Sequence, residues 1–111
     1  MKQILFILFL ILCFLKVNAQ KVNSVQYSNQ ADVKVFVVEY ANQADLLVYK
    51  VKYANQVDGN KGLWFFTEYT NQADKKIFFT EYANQADLKI CFVEYSNQAG
   101  WVNNSKKQLF Y

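Results

Sequence analysis

The residues best suited to acid–base or metal chemistry in this 111-residue chain are its nine carboxylates, because it contains no histidine. Five of them, Asp32, Asp45, Asp58, Asp74 and Asp87, recur at one fixed place in a repeated segment. Carboxylates interspersed with Asn side chains suit calcium, and paired carboxylates suit glycoside hydrolysis. Both readings compete with a plainer one. Each Asp sits in a turn segment, where capping backbone amides is the commoner job. Near-identical environments also would not split the carboxylate pKa values as acid–base chemistry requires. The expectation is therefore no metal, no cofactor and no catalytic residue. Without histidine, neither a Ser-His-Asp triad nor a His-bearing zinc site can be built. No phosphate loop, nucleophile elbow or dinucleotide fingerprint is present.

The segment that carries these acids organises the whole chain. It reads Tyr27-Ser28-Asn29-Gln30-Ala31-Asp32 and then Tyr40-Ala41-Asn42-Gln43-Ala44-Asp45. Tyr53-Ala54-Asn55-Gln56-Val57-Asp58 and Tyr69-Thr70-Asn71-Gln72-Ala73-Asp74 follow. Tyr82-Ala83-Asn84-Gln85-Ala86-Asp87 and Tyr95-Ser96-Asn97-Gln98-Ala99-Gly100 complete the set. Tyr, Asn and Gln are identical in all six copies. A glutamine kept six times suggests one defined socket. Hydrogen bonding to the backbone of a neighbouring repeat is the expected role, since buried polar groups are paired. The tyrosine rings are expected to pack in the core with their hydroxyls at the rim.

Successive tyrosines are thirteen residues apart, except for sixteen between Tyr53 and Tyr69. The extra three residues fall most simply within Gly59-Asn60-Lys61-Gly62 and divide the chain into two similar halves. Thirteen residues suit one strand plus one turn. The stretches between copies, such as Val33–Glu39 and Leu88–Glu94, are rich in Val, Ile and Phe, which favour strands of this length. Asn and Asp supply the turn. Counting back from each tyrosine, Phe36, Tyr49, Phe65, Phe78 and Cys91 lie four before and share the tyrosine face by period-two alternation. Val35, Val48, Trp64, Ile77 and Ile90, five before, line the opposite face. Both faces are mostly apolar in mid-strand. A half-solvated meander would alternate polar and apolar more cleanly, so the prediction is an all-β, closed domain covered on both sides. Cys91 takes a core position and is expected to be buried and inert.

Residues 1–19 read differently. Lys2 is followed by an apolar run from Ile4 to Leu15, and Val17-Asn18-Ala19 offers a signal-peptidase site. The run is too short to span a bilayer. A helical signal peptide over 1–19, a domain over 20–111, and a secreted or periplasmic address without stable membrane insertion are predicted. Without the leader, ten lysines face nine acids, a net charge of about +1, and the chain has no arginine at all. That argues against a nucleic-acid partner. Cys13 leaves with the leader, so Cys91 has no partner for an intramolecular disulfide.

The Glu-Tyr-x-Asn-Gln-Ala-Asp unit behind a signal peptide, clearest at Glu39–Asp45 and Glu81–Asp87, resembles the septoil knot domain family of bacterial secreted proteins. The resemblance covers residues 22 to about 105. It implies a small all-β repeat domain of six to seven strand-turn units whose backbone follows a seven-crossing torus knot. Two windings of near-identical units around one axis would interleave the two halves. No biochemical activity comes with it. The function expected is a non-enzymatic module with a structural or interaction role. The alternative is a hydrolase that acts on cell-surface polysaccharide. Two breaks in the repeat, Asp58–Gly62 with Trp64 and Trp101 to Tyr111, are the places where unique features are expected. Trp101 is expected to close the last repeat over the core, and the tail to pair as a final strand or fray.

Overall fold

The computed structural model describes residues 20–57 and 59–111. The leader expected over 1–19, and Asp58, lie outside the described residues. Seven strands are described: β1 (Lys21–Ser24), β2 (Val33–Val37), β3 (Leu46–Lys50), β4 (Leu63–Phe66), β5 (Lys75–Phe79), β6 (Leu88–Phe92) and β7 (Gly100–Trp101). One strand per repeat follows from the Val, Ile and Phe content between turns.

The hydrogen-bonded order is β4-β1-β5-β2-β6-β3-β7, and β3 also pairs with β4. The first six strands thus close into a barrel in which all neighbours are parallel. Strands of the first half alternate with strands of the second all the way round the ring, the β3–β4 seam included. Parallel neighbours joined directly need a crossover of a dozen residues or more. Here β1 to β2, β2 to β3, β4 to β5 and β5 to β6 are each linked by only eight residues, and none of those pairs is adjacent in the ring. The exception is β3 to β4, which are adjacent and joined by twelve residues. The three-residue insertion in the repeat is therefore the length needed where the first winding hands over to the second.

Registers are staggered. The start of β2 pairs with the end of β5, and its end pairs with the start of β6. Following the pairs once round the ring returns to β1 displaced by about twelve residues, so the strands lean more steeply than the roughly 35–45° usual in barrels. That lean carries each short link across the outside of one intervening strand.

The barrel interior is the apolar face predicted five residues before each tyrosine. Val35, Val48, Trp64, Ile77 and Ile90 are all fully buried, joined by Val22, Leu46 and Leu88. Each such aliphatic side chain contributes about 1.5–3 kcal/mol of transfer free energy. The outer face is only half covered: Phe36, Tyr49, Phe65 and Phe78 are partly exposed, while Val38, Thr67, Thr80 and Cys91 are buried. Gly62 lies in the β3–β4 link with φ of +84°, and a Cβ there would run into the Leu47 carbonyl oxygen. Only glycine suits that position.

The tail neither forms a strand nor frays. Asn104–Phe110 is a 3-10 helix, and Phe110 is 1% exposed, its ring centroid 5.0 Å from that of Trp64. Gln20 Nε2 donates to the Phe110 carbonyl at 3.1 Å. Trp101 packs against the same cluster and donates its indole N–H to the Asn60 carbonyl at 3.0 Å, the closing role expected of it. The end of the barrel at the strand N-termini is thus plugged. At the other end Lys50 takes the place that aromatic residues hold in later repeats. Its Nζ lies 4.5 Å from the ring centre of Phe92 and 5.2 Å from that of Phe66.

Candidate interaction surface

Each Tyr-x-Asn-Gln segment makes one turn of 3-10 helix: Ser28–Gln30, Ala41–Gln43, Ala54–Gln56, Thr70–Gln72, Ala83–Gln85 and Ser96–Gln98. In every copy the tyrosine is the extended N-cap residue, and two successive backbone bonds close the turn. In the second copy, Gln43 N–H donates to the Tyr40 carbonyl at 3.0 Å and Ala44 N–H to the Ala41 carbonyl at 3.2 Å. The short turn satisfies its own backbone, which lets the link run over the surface.

The turns form a belt. The turn Ser28–Gln30 packs over β5, Ala41–Gln43 over β6, Ala54–Gln56 against β4 and Ser96–Gln98 over β3. Thr70, in the turn Thr70–Gln72, donates its hydroxyl to Asn23 Oδ1 on β1. Between Gln43 of one turn and Ala83 of another opens a cleft of about 390 Å³, floored by Phe36 and Val38 and flanked by Lys89.

Two expectations for the motif are corrected here. The tyrosine rings are not core: Tyr27, Tyr40, Tyr53, Tyr69, Tyr82 and Tyr95 are 60–65% exposed. They have the parity of the outer face but lie past the strand ends, where the chain has left the barrel wall. The glutamines fill no socket in a neighbouring repeat. All six are exposed, and where the side chain has a partner it is local. Gln56 Oε1 accepts from the Lys52 and Tyr53 amides at 3.0 Å, and Gln98 Oε1 from the Tyr95 amide at 3.3 Å. These are N-terminal caps on the turn. Asn29, Asn42, Asn55, Asn71, Asn84 and Asn97 are exposed as well.

The residue that ties one repeat to another is the aspartate. Asp32 Oδ2 accepts from the Lys76 amide, Asp45 from Lys89, Asp74 from Lys21 and Asp87 from Lys34, each at 2.9 Å. In return each Asp N–H donates to the carbonyl of the same lysine at 2.7–2.8 Å. Every pair joins one half of the chain to the other. Asp45 carries more: its carbonyl accepts from the Val102 and Asn103 amides, and its Oδ1 accepts from Asn103 Nδ2. The sixth copy has Gly100 at the Asp position and leads into β7, which is antiparallel to β3. Sequence reasoning placed these acids on backbone amides but not across the winding, because the partners lie 44 or 53 residues away. Among the described residues no group of three or more His, Cys, Asp or Glu side chains is arranged to hold a metal ion. Cys91 is buried at 7% exposure, with Sγ 3.8 Å from the Glu39 carbonyl.

This combination of an interleaved parallel barrel and a six-fold turn motif decides the family. The chain matches the 7(1) septoil knot domain over residues 19–102. It belongs to the septoil knot family. The matched range takes in β1 to β7 of this septoil knot domain and stops before the closing helix Asn104–Phe110. No curated protein and no solved structure matches the chain. Among the described residues, no helix is long and apolar enough to cross a membrane.

Proposed function

We propose that this septoil knot protein is a secreted or periplasmic, non-enzymatic scaffold that presents one small recognition surface in six copies, and that its doubly wound path is knotted. The alternation of the two halves around the ring supports the knotted path, and the apolar leader sequence supports the address. One observation carries the functional reading. Tyr and Asn are identical in all six copies, yet they are exposed, and among the described residues no hydrogen bond ties their side chains to the barrel. Exposed positions beside them have drifted: the residue after each tyrosine is Ser, Ala or Thr. Identity that packing does not require points to contact with something outside the molecule.

Chemical footprinting tests this. Nitration of the isolated protein should modify all six motif tyrosines. In the native extracellular or periplasmic fraction the same tyrosines should be protected, while Tyr111, exposed but outside the repeat, stays reactive. Equal reactivity in both settings would count against an engaged surface. N-terminal sequencing of the same material should begin at Gln20.

A further inference from the structure

We infer that the partner of this surface is an uncharged polysaccharide chain, bound along the belt by several turns at once; the inference rests on the display reading above. Three features of the belt select that chemistry. The first is the pairing of an exposed tyrosine ring with an exposed asparagine two residues on, repeated six times. A sugar ring has an apolar C–H face suited to an aromatic ring and a rim of hydroxyls suited to an amide, which both donates and accepts.

The second is charge. Glu39, Glu68, Glu81 and Glu94 are exposed and each immediately precedes a motif tyrosine. Lys52 and Gln26 stand there in the other two copies and Lys89 flanks the cleft, so the belt carries charges of both signs and offers no uniform field that would select an ionic polymer. No arginine is present to make bidentate contacts to phosphate or carboxylate. The third is repetition itself. An irregular protein surface would engage one or two turns and leave the rest free to diverge. Six like sites on one rigid belt suit a ligand made of like units, for which linked sites raise avidity by about 10²–10⁴ over a single contact. Between neighbouring turns, the cleft over Phe36 and Val38, with the exposed Gln43 on its edge, offers an aromatic floor of suitable size for a ring.

The test is retention of the purified protein on insoluble cellulose and chitin, and its retardation in gels containing a soluble neutral glucan. Alginate serves as the acidic polymer. Sedimentation reports self-association. The variant Tyr40→Ala/Tyr82→Ala/Tyr95→Ala is compared with wild type, and its unfolding midpoint is measured alongside; Lys34→Ala is the surface control. The expected result is retention on at least one neutral polymer, weakened at least about tenfold in the triple variant, with Lys34→Ala unchanged and the fold intact. Neutral-polymer binding that ignores the tyrosines overturns the proposal. Tyrosine-dependent binding to alginate only, or tyrosine-dependent self-association only, overturns the neutral-glycan assignment and leaves the display reading standing. Absence of tyrosine-dependent association in every arm overturns both. Should the triple variant unfold, Asn42→Ala/Asn84→Ala/Asn97→Ala takes its place, with the same outcomes.

Discussion

Inside the barrel, the position five residues before each tyrosine is filled by Val35, Val48, Trp64, Ile77 and Ile90. Around the outside, the turn positions are Tyr, Asn and Gln every time. The buried positions vary and the exposed ones do not. Packing explains the first pattern: an interior needs hydrophobic volume that sums correctly, and it accepts a tryptophan in one repeat beside valines in others. Packing does not explain the second, because a solvated side chain contributes little to stability. Repetition in this molecule therefore has two sources. Asp is kept where the two windings are clipped together. Tyr and Asn are kept without any such structural task.

The comparison breaks most visibly from the inside. Trp64→Ala empties the centre of the barrel and removes the ring on which Phe110 rests, so a loss of about 3–5 kcal/mol is expected in urea unfolding. Gly62→Ala should be comparably damaging, since it forces both a side chain onto the Leu47 carbonyl and a left-handed backbone on alanine. Full stability in either variant would mean that the interior packing described above is wrong.

Next come the clips. Asp45→Ala removes a charged acceptor from the Lys89 amide and from Asn103, for an expected cost of about 1.5–3 kcal/mol. Asp32→Ala, with a single amide partner among the described contacts, should cost less. Equal costs would show that the tail contacts of Asp45 add nothing.

The inner and outer faces, the strand in each repeat and the division into halves were all legible from period and parity. The ring order was not. Each clip and each parallel pairing joins residues far apart in sequence, and near-identical repeats give no local signal of which copy meets which. The tyrosines misled for a related reason. Parity assigns a side, but it does not say where the strand ends, and these rings lie just beyond the wall. The plug at Phe110 lies in the non-repeating tail, which has no counterpart among the copies. Aspartate and glutamine stand two residues apart in the same motif, and only the spatial neighbours reveal that aspartate bridges windings while Gln56 and Gln98 cap their own turns.

Smaller effects sharpen the contrast within the turns. Gln56→Ala should cost about 0.5–1 kcal/mol, because two backbone amides lose their acceptor to water. Gln43→Ala should change stability by less than about 0.5 kcal/mol, like the Lys34→Ala control. If Gln43 proves as costly as Asp45, glutamine is a structural residue after all.

One turn holds both kinds of repeated residue, and a single unfolding comparison separates them. Equilibrium urea unfolding of Asp45→Ala is set beside the double variant Tyr40→Ala/Asn42→Ala. The predicted result is a loss of about 1.5–3 kcal/mol for the aspartate and less than about 1 kcal/mol for the exposed pair. If the double variant is destabilised as much as Asp45→Ala, the tyrosine and asparagine are kept for the fold, and the belt has no claim to be a recognition surface.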